Sequence, residues 1–336
     1  MTERADVGGR SELLGTSGPG ERKASKVAIV GAGAVGSTLA YACLLRGAAR
    51  EVVLFDVNKA KVEAEALDIA HGIQFTPMGS VGGSDDIGIC AGADVVVITA
   101  GARQKPGQSR LDLAGATIDI MRDLVPRVVE VAPDAVYIMV ANPVDVVTYA
   151  GLKISGLPDN QFFGSGTVLD SNRLRYLVAQ ECGVAVQNVH AYIAGEHGDS
   201  EIPLWSSAMI GAVPLLQWGQ TVTGGMLDDT ARARIAADVV SSAYRIIEGK
   251  GATNYAVGLA VVRIIEAVLR DEHRVLSVSS LLEDYLEISD VCMAVPTIVG
   301  SSGVGRRLVP VVTETERAGL ARSAESIRSV AKRFGF

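Results

Sequence analysis

The chain has 336 residues, 48% of them hydrophobic and 21% charged, with 37 Gly and 11 Pro. That length suggests about two domains, and the apolar fraction is ample for a packed core, which excludes wholesale disorder. A net charge of −7 excludes a strong basic field for nucleic acid or acidic membranes.

No apolar run reaches the roughly 18 residues of a membrane span. The first residues hold no continuous apolar segment of a secretory signal, so a cytoplasmic location is expected. Cys43, Cys90, Cys182 and Cys292 are far apart in sequence and form no CxxC pair. Neither a metal site nor a disulfide framework is indicated, and all four read as buried, reduced thiols. Residues 1–24 are rich in Gly, Ser, Arg and Glu and read as a flexible tail, because they bury too little surface to offset ordering.

From Lys26 the elements are legible in order. Val27–Val30 is a buried strand by its continuous apolar run, followed by Gly31-Ala-Gly33-Ala-Val-Gly36 and a helix over Ser37–Arg46. Glu51–Phe55 is a second strand ending at Asp56, and Lys59–His71 a helix. Ala93–Thr99 is a strand, and Leu111–Val131 a long helix in which Pro126 predicts a break. Ala135–Val140 is a further strand. This alternation predicts an α/β fold: a Rossmann-type doubly wound parallel sheet in an N-terminal domain over 25–166. A C-terminal α+β domain is expected over 167–336, with helices over Thr167–Glu181, Asp228–Gly249, Thr253–Arg270 and Glu314–Arg333. It also holds an apolar strand, Val189–Ala194, and antiparallel strands over Val275–Leu282 and Val291–Gly300.

The glycine turn follows a strand, opens a helix, and has an acidic residue 20 positions after Gly36. Gly31 permits the tight turn, Gly33 lets the backbone approach a pyrophosphate, and Gly36 lets helix and strand pack closely. The helix N-terminus favours phosphate. Asp56 suits ribose hydroxyls and repels a 2′-phosphate, which favours NAD over NADP.

Three further stretches carry reactive groups. His197 lies between Gly195 and Gly198 past a strand end, where a histidine is exposed and mobile enough to meet a ligand and exchange a proton. Asp170 and Arg173 are three apart at a helix start and share a face, so one could orient an imidazole while the other clamps a carboxylate. Gly101 to Arg110 is a polar loop with Pro106-Gly107, suited to a hinged lid that delivers an arginine.

Together these stretches resemble the lactate/malate dehydrogenase family. The resemblance runs from about Lys26 to about Arg333 and rests on AGARQKPGQSRLDL (100–113), VANPVDVVTY (140–149), GSGTVLDSNRLRYL (164–177), GEHGDSE (195–201) and KGATNYAVGLA (250–260). It implies NADH-dependent reduction of pyruvate to (S)-lactate. His197 matches the family's proton donor and acceptor, and Asp170 its carboxylate partner. Arg173 matches the arginine that binds the substrate carboxylate, and Arg110 the lid arginine that polarises the ketone. Asn142 matches a residue that contacts the nicotinamide ribose and the reacting oxygen. Ser165 matches a carboxamide contact, and Val257 an apolar wall. Val35, Ala100 and Gly101 match further cofactor contacts.

Gln104 and Thr253 bear on the substrate. Malate enzymes of the family carry Arg at the Gln104 position to pair with a second carboxylate; Thr253 matches a threonine that leaves room for little more than a methyl group. Pyruvate is therefore expected, with a lactate-like malate dehydrogenase as the alternative. Arg175 and His190 match two cationic positions that bind fructose 1,6-bisphosphate between subunits in many bacterial members. Animal members that are not activated by the sugar carry a similar pair, so a salt-bridged helix Arg and a strand His stay open. The resemblance further implies a homotetramer.

Overall fold

The computed structural model describes residues 24–77, 79–102, 110–221 and 227–336, without the side chains of 110–112, 220 and 221. All of the tail expected over 1–24 except Ala24 lies outside them.

The first half runs β1 (Lys26–Val30), α1 (Ala34–Arg46), β2 (Glu51–Phe55), α2 (Lys59–His71), β3 (Ser80–Ser84), β4 (Val95–Ile98), α3 (Arg110–Val131), β5 (Val136–Met139), α4 (Val144–Ser155) and β6 (Phe162–Gly164). These strands lie in the order β3-β2-β1-β4-β5-β6 and pair in parallel throughout. The order reverses between β1 and β4, which opens a crevice at the carboxyl ends of the strands. Alternate residues feed the two layers: Ala28 and Val30 enter one apolar cluster, Val27 and Ile29 the other. The sheet is covered on both faces, as the unbroken apolar runs require.

The second half runs α5 (Val168–Cys182), β7 (Val189–His190), β8 (Ile193–Ala194), β9 (Ile202–Pro203), β10 (Met209–Ile210), β11 (Val213–Pro214), α6 (Trp218–Thr221), α7 (Asp229–Lys250), α8 (Tyr255–Leu269), β12 (Arg274–Leu282), β13 (Val291–Gly300), β14 (Gly303–Arg307) and α9 (Glu314–Arg333). The expected antiparallel pair of β12 and β13 is present. It does not form a sheet of its own: β12 adds antiparallel to β6 through Ser279 and Gly164, so one sheet of nine strands spans both halves among the described residues.

Three expectations are corrected. α3 runs unbroken through Pro126. Its Ile118, Met121, Val125 and Val128 are fully buried against the sheet, and that burial outweighs the roughly 3 kcal/mol of an internal proline. Val189–Ala194 is not one strand but two short ones in different sheets. Side chains of α5 take backbone groups at the break: Arg175 Nε donates to the Ala191 carbonyl at 2.8 Å, and Ser171 Oγ accepts from the N–H of Ile193, the first residue of β8, at 2.9 Å. Cys43, Cys90 and Cys292 are buried, but Cys182 is half-buried.

α8 lies against α1 and is tied to it by charge. Glu266, 1% exposed, accepts from Arg46 Nε and from its terminal nitrogen, both at 2.9 Å, and also pairs with Arg263 and Arg270. No helix among the described residues is long and apolar enough to cross a membrane.

Candidate active site

The glycine turn closes over the end of β1. Gly31 has φ +110° and donates its N–H to the Phe55 carbonyl at 2.7 Å. A Cβ on it would lie 2.8 Å from the Ala100 nitrogen; one on Gly36 would lie 1.8 Å from the Gly31 carbonyl oxygen. A Cβ on Gly33 would meet nothing within 4 Å. Gly31 and Gly36 are therefore glycines because the protein itself comes too close, whereas Gly33 faces open space at the start of α1, where no side chain caps the helix. That open face is what the pyrophosphate of a dinucleotide needs, and the residues fit NAD(H).

Asp56 stands beside the turn at the end of β2. Its Oδ2 accepts from the Ala32 N–H at 2.8 Å and its Oδ1 from the Asn58 N–H at 3.0 Å. Each carboxylate oxygen keeps a lone pair for a ribose hydroxyl. Thr99, which sequence reasoning missed, ties the end of β4 to the turn by donating to the Gly31 carbonyl at 3.0 Å.

Next to this groove, at the start of α5, Asp170 is 1% exposed. Its Oδ1 accepts from Arg173 at 2.7 Å, and its Oδ2 lies 2.6 Å from His197 Nδ1. The helical spacing does place both partners on one face. His197 is not the mobile loop histidine expected. Its ring is fixed by Asp170, its side chain is 26% exposed, and its backbone N–H donates to Asp145 Oδ2 at 2.7 Å. Burial alone would lower the His197 pKa, but Asp170, Asp145 and Glu201 outweigh it and push it up to about 9. Burial acts to raise Asp170, yet His197 and Arg173 hold its carboxyl below the usual carboxylate range.

Asn142, Arg173 and His197 line two adjoining cavities of about 220 and 100 Å³. The smaller one adds Ser165, Thr253 and Val257. Six sequence-derived site residues thus converge from β5, β6, α5, the His197 loop and α8. Gln104 and the Arg110 side chain lie outside the described residues, and with them the lid. Ala100 and Gly101 close the end of β4; a Cβ on Gly101 would lie 2.9 Å from the Ala141 Cβ.

Besides Thr99, sequence reasoning missed four contributors. Asp145 and Glu201 bring further carboxyls to His197. Thr117 of α3 accepts from the Ala102 N–H and donates to the Asn142 carbonyl, each at 3.3 Å, joining the two loops. Ser323 of α9 accepts from the Glu196 N–H at 2.6 Å. Groups of Glu201, Asp170 and His197 lie within 4.8 Å of one another. Burial and the Asp170 charge push the Glu201 pKa up to about 8. Asp145 had one available signal, an acid inside the apolar run Val144–Leu152; the others lie in ordinary polar contexts.

Arg175 and His190 come to one edge. Arg175 Nε reaches the carbonyl of Ala191, the residue after His190, and its guanidinium lies 4.8 Å from the Tyr192 ring centre. His190 is exposed on β7.

Comparison with known proteins agrees with this geometry. The lactate/malate dehydrogenase NAD-binding domain matches residues 25–164, and the alpha/beta C-terminal domain of the same family matches 167–334. The chain belongs to the lactate/malate dehydrogenase family. It is 59% identical over 314 residues to an L-lactate dehydrogenase of Bifidobacterium animalis subsp. lactis, covering 94% of this chain and 98% of that one. It is 45% identical to an L-lactate dehydrogenase of a Synechococcus species, covering 91% and 98%. Among solved structures it resembles a lactate dehydrogenase from a Medee basin deep-sea metagenome library, with TM-score 0.89, 37% identity and coverage of 93% and 99%. It also resembles the minor L-lactate dehydrogenase of Enterococcus mundtii, with TM-score 0.88, 36% identity and coverage of 92% and 98%.

Proposed function

We propose that the protein is an NAD-dependent L-lactate dehydrogenase that reversibly reduces pyruvate to (S)-lactate. The observation that carries this reading is the Arg173–Asp170–His197 cluster, with contacts of 2.7 and 2.6 Å, at the edge of the cavity lined by Asn142, Ser165, Thr253 and Val257. Residues 25–166 form the cofactor unit and 167–336 the substrate unit.

Gly31, Gly33, Val35, Gly36 and Asp56 hold the adenosine diphosphate part of the cofactor, with Ala100 and Gly101 beside it. Asn142, Ser165 and Val257 hold the nicotinamide end. When bound, NADH supplies the hydride that C2 of the 2-oxo acid needs. Arg173, anchored by Asp170 through one nitrogen, offers its remaining N–H groups to the substrate carboxylate. With Nδ1 held by Asp170, His197 presents a protonated Nε2 toward the C2 oxygen and gives up that proton as the alcohol forms. In the oxidative direction the neutral imidazole takes it back. Asp170 supports the imidazolium in the first case and the tautomer in the second. Arg110 polarises the ketone and stabilises the charge developing on its oxygen.

Gln104 and Thr253 set the preference for a methyl group. A dicarboxylate would bring a second charge with no partner into a closed site, at a cost of several kcal/mol. NADH oxidation measured side by side with pyruvate, oxaloacetate and 2-oxobutyrate tests the reading. Pyruvate is expected to give the highest kcat/KM; a higher value for oxaloacetate overturns it. Gln104→Arg is expected to move preference toward oxaloacetate.

Arg175 and His190 are the residues we assign to a fructose 1,6-bisphosphate site, in a homotetrameric, cytoplasmic enzyme. The sugar is expected to lower the KM for pyruvate, more so at low protein concentration. Identical saturation curves with and without it refute that assignment.

A further inference from the structure

The loop carrying His197 is held from three sides. Asp170 on α5 holds the ring, and Ser323 on α9 holds the Glu196 N–H. Asp145 on α4 accepts from the His197 backbone N–H at 2.7 Å. This third contact is chemically unusual. Asp145 is 2% exposed, and its Oδ1 has no hydrogen-bond partner among the described residues. The Ser279 hydroxyl on β12 is near enough to stabilise the Asp145 charge but completes no hydrogen bond. Thr148, one turn along α4, has a buried hydroxyl without a partner.

A buried carboxylate with one oxygen unmet costs stability. An asparagine would accept the same N–H without burying a charge, so the hydrogen bond alone does not explain the acid. Its charge acts on something, and His197 is the cation that interacts with it. The titratable and charged groups that face His197 or line its cavity are Asp170 and Arg173 from α5, Asp145 from α4, Tyr244 from α7, and Glu196, Asp199 and Glu201 from its own loop. Arg173 is paired with Asp170, and Glu201 is held neutral at pH 7 by burial. On β13, the Cys292 thiol beside Asp145 is kept protonated by burial. Asp170 and Asp145 are thus the two buried carboxylates that contact His197 directly, one at the ring and one at the backbone.

We propose that Asp145 is a positioning residue for the reaction: its carboxylate fixes the His197 backbone, and its charge keeps the imidazole in the protonated form that meets the 2-oxo acid. This rests on the reading of His197 as the proton donor. Burial pushes the Asp145 pKa up to about 6, so the group is mostly ionised at pH 7 and becomes neutral near pH 5.

The test is Asp145→Asn, which keeps the acceptor and removes the charge. The pH profile of kcat/KM for pyruvate is expected to lose about one unit from its alkaline pKa, the size of a nearby-charge effect. At pH 8 to 9 the KM rises several-fold, up to about tenfold, while kcat at pH 6 stays within about threefold. Ser279→Ala, which alters the same spot without touching a full charge, leaves the alkaline limb in place. A profile that coincides with the wild type overturns the proposal, and so does a loss of kcat equal at every pH, which marks a purely structural role. Should the variant fail to fold, the wild type decides. The His197 ring, followed by NMR among the four histidines of the chain, is expected to show a minor inflection near pH 6 besides its own titration. Absence of that inflection overturns the proposal. The ring titration needs no substrate, so it is separate from any failure of pyruvate reduction itself.

Discussion

Two alanine substitutions in the glycine turn separate cofactor binding from packing. Gly36→Ala places a Cβ 1.8 Å from the Gly31 carbonyl oxygen, with the Gly31 carbonyl carbon at 3.0 Å. Both neighbours are backbone, so α1 must move away from β1 by more than an ångström or the turn must open. Overpacking a well-filled core costs typically 1–3 kcal/mol, and a backbone clash of this depth lies at or above the top of that range. For a chain of this size the expected loss is roughly 6 °C or more in Tm, or failure to fold. Gly33→Ala behaves oppositely. Gly33 has φ −75° and nothing within 4 Å of its would-be Cβ. Stability is expected to stay within about 1 kcal/mol, since the change trades a poorer helix N-cap against lower entropy of the unfolded chain. The methyl group stands on the face we assign to the pyrophosphate, so NADH affinity should fall at least tenfold, about 1.4 kcal/mol. Thermal melts and NADH fluorescence titration read the two effects apart. Gly33→Ala with unaltered NADH affinity would refute the placement of the pyrophosphate. Gly36→Ala with wild-type Tm would refute the close helix–strand contact.

Asp170→Asn removes the charge 2.6 Å from His197 Nδ1; kcat/KM for pyruvate at pH 7 should drop by about 10²–10⁴ as orientation and proton donation fail together, and stopped-flow NADH oxidation reads it. Arg173→Lys keeps the charge but loses the planar fork, so the pyruvate KM should rise about 10–100-fold with kcat less affected; steady-state saturation curves check this. The His197 pKa is raised from 6.5 to about 9 in the folded protein, so its contribution to stability is full below pH 6.5 and is lost as pH rises through 9. The melting temperature of the cofactor-free enzyme should therefore fall across that window, and the slope should flatten in His197→Asn. Glu266→Gln leaves Arg46 and Arg263 facing an amide inside the α1–α8 contact; a loss of about 3 kcal/mol in urea unfolding is expected.

Much of the parallel sheet was legible because its strands are short apolar runs bounded by glycine and acid. Lys59–His71 and Glu314–Arg333 were readable to the residue, each being a helix with clear polar and apolar positions. α4 was not read as a helix. Val144–Leu152 is buried on every side, so no exposed polar face marks it as a surface helix. β3, with two glycines in five residues, gave no strand signal. The site divides the same way. His197, Asp170 and Arg173 stand in stretches whose spacing has chemical meaning. Asp145, Thr117 and Ser323 act through a backbone N–H or C=O on a distant loop, and no local spacing encodes such a contact. The joining of β12 to β6 depends on a register between Ser279 and Gly164, which are far apart in the chain.

The net charge of −7 argues against an anionic ligand, yet the site as we read it takes one. The local balance resolves this. Immediately around the imidazole, protonated His197 and Arg173 face ionised Asp170 and Asp145, and these four nearly cancel, while Glu196 and Asp199 also line the cavity. Glu201 would add a further negative charge and repel a carboxylate, but burial and the Asp170 charge hold it protonated to about pH 8. The immediate surroundings of the His197 ring are thus close to neutral, and the single cation that we assign to Arg110 would match the single charge of a monocarboxylic 2-oxo acid. A second substrate charge would have no counterpart. On this reading, preference for a monocarboxylate is not a property of Gln104 and Thr253 alone. It also depends on two buried acids, Asp145 held ionised and Glu201 held neutral at the same pH, because only Asp145 accepts a hydrogen bond from the His197 backbone while Glu201 sits against the charge of Asp170.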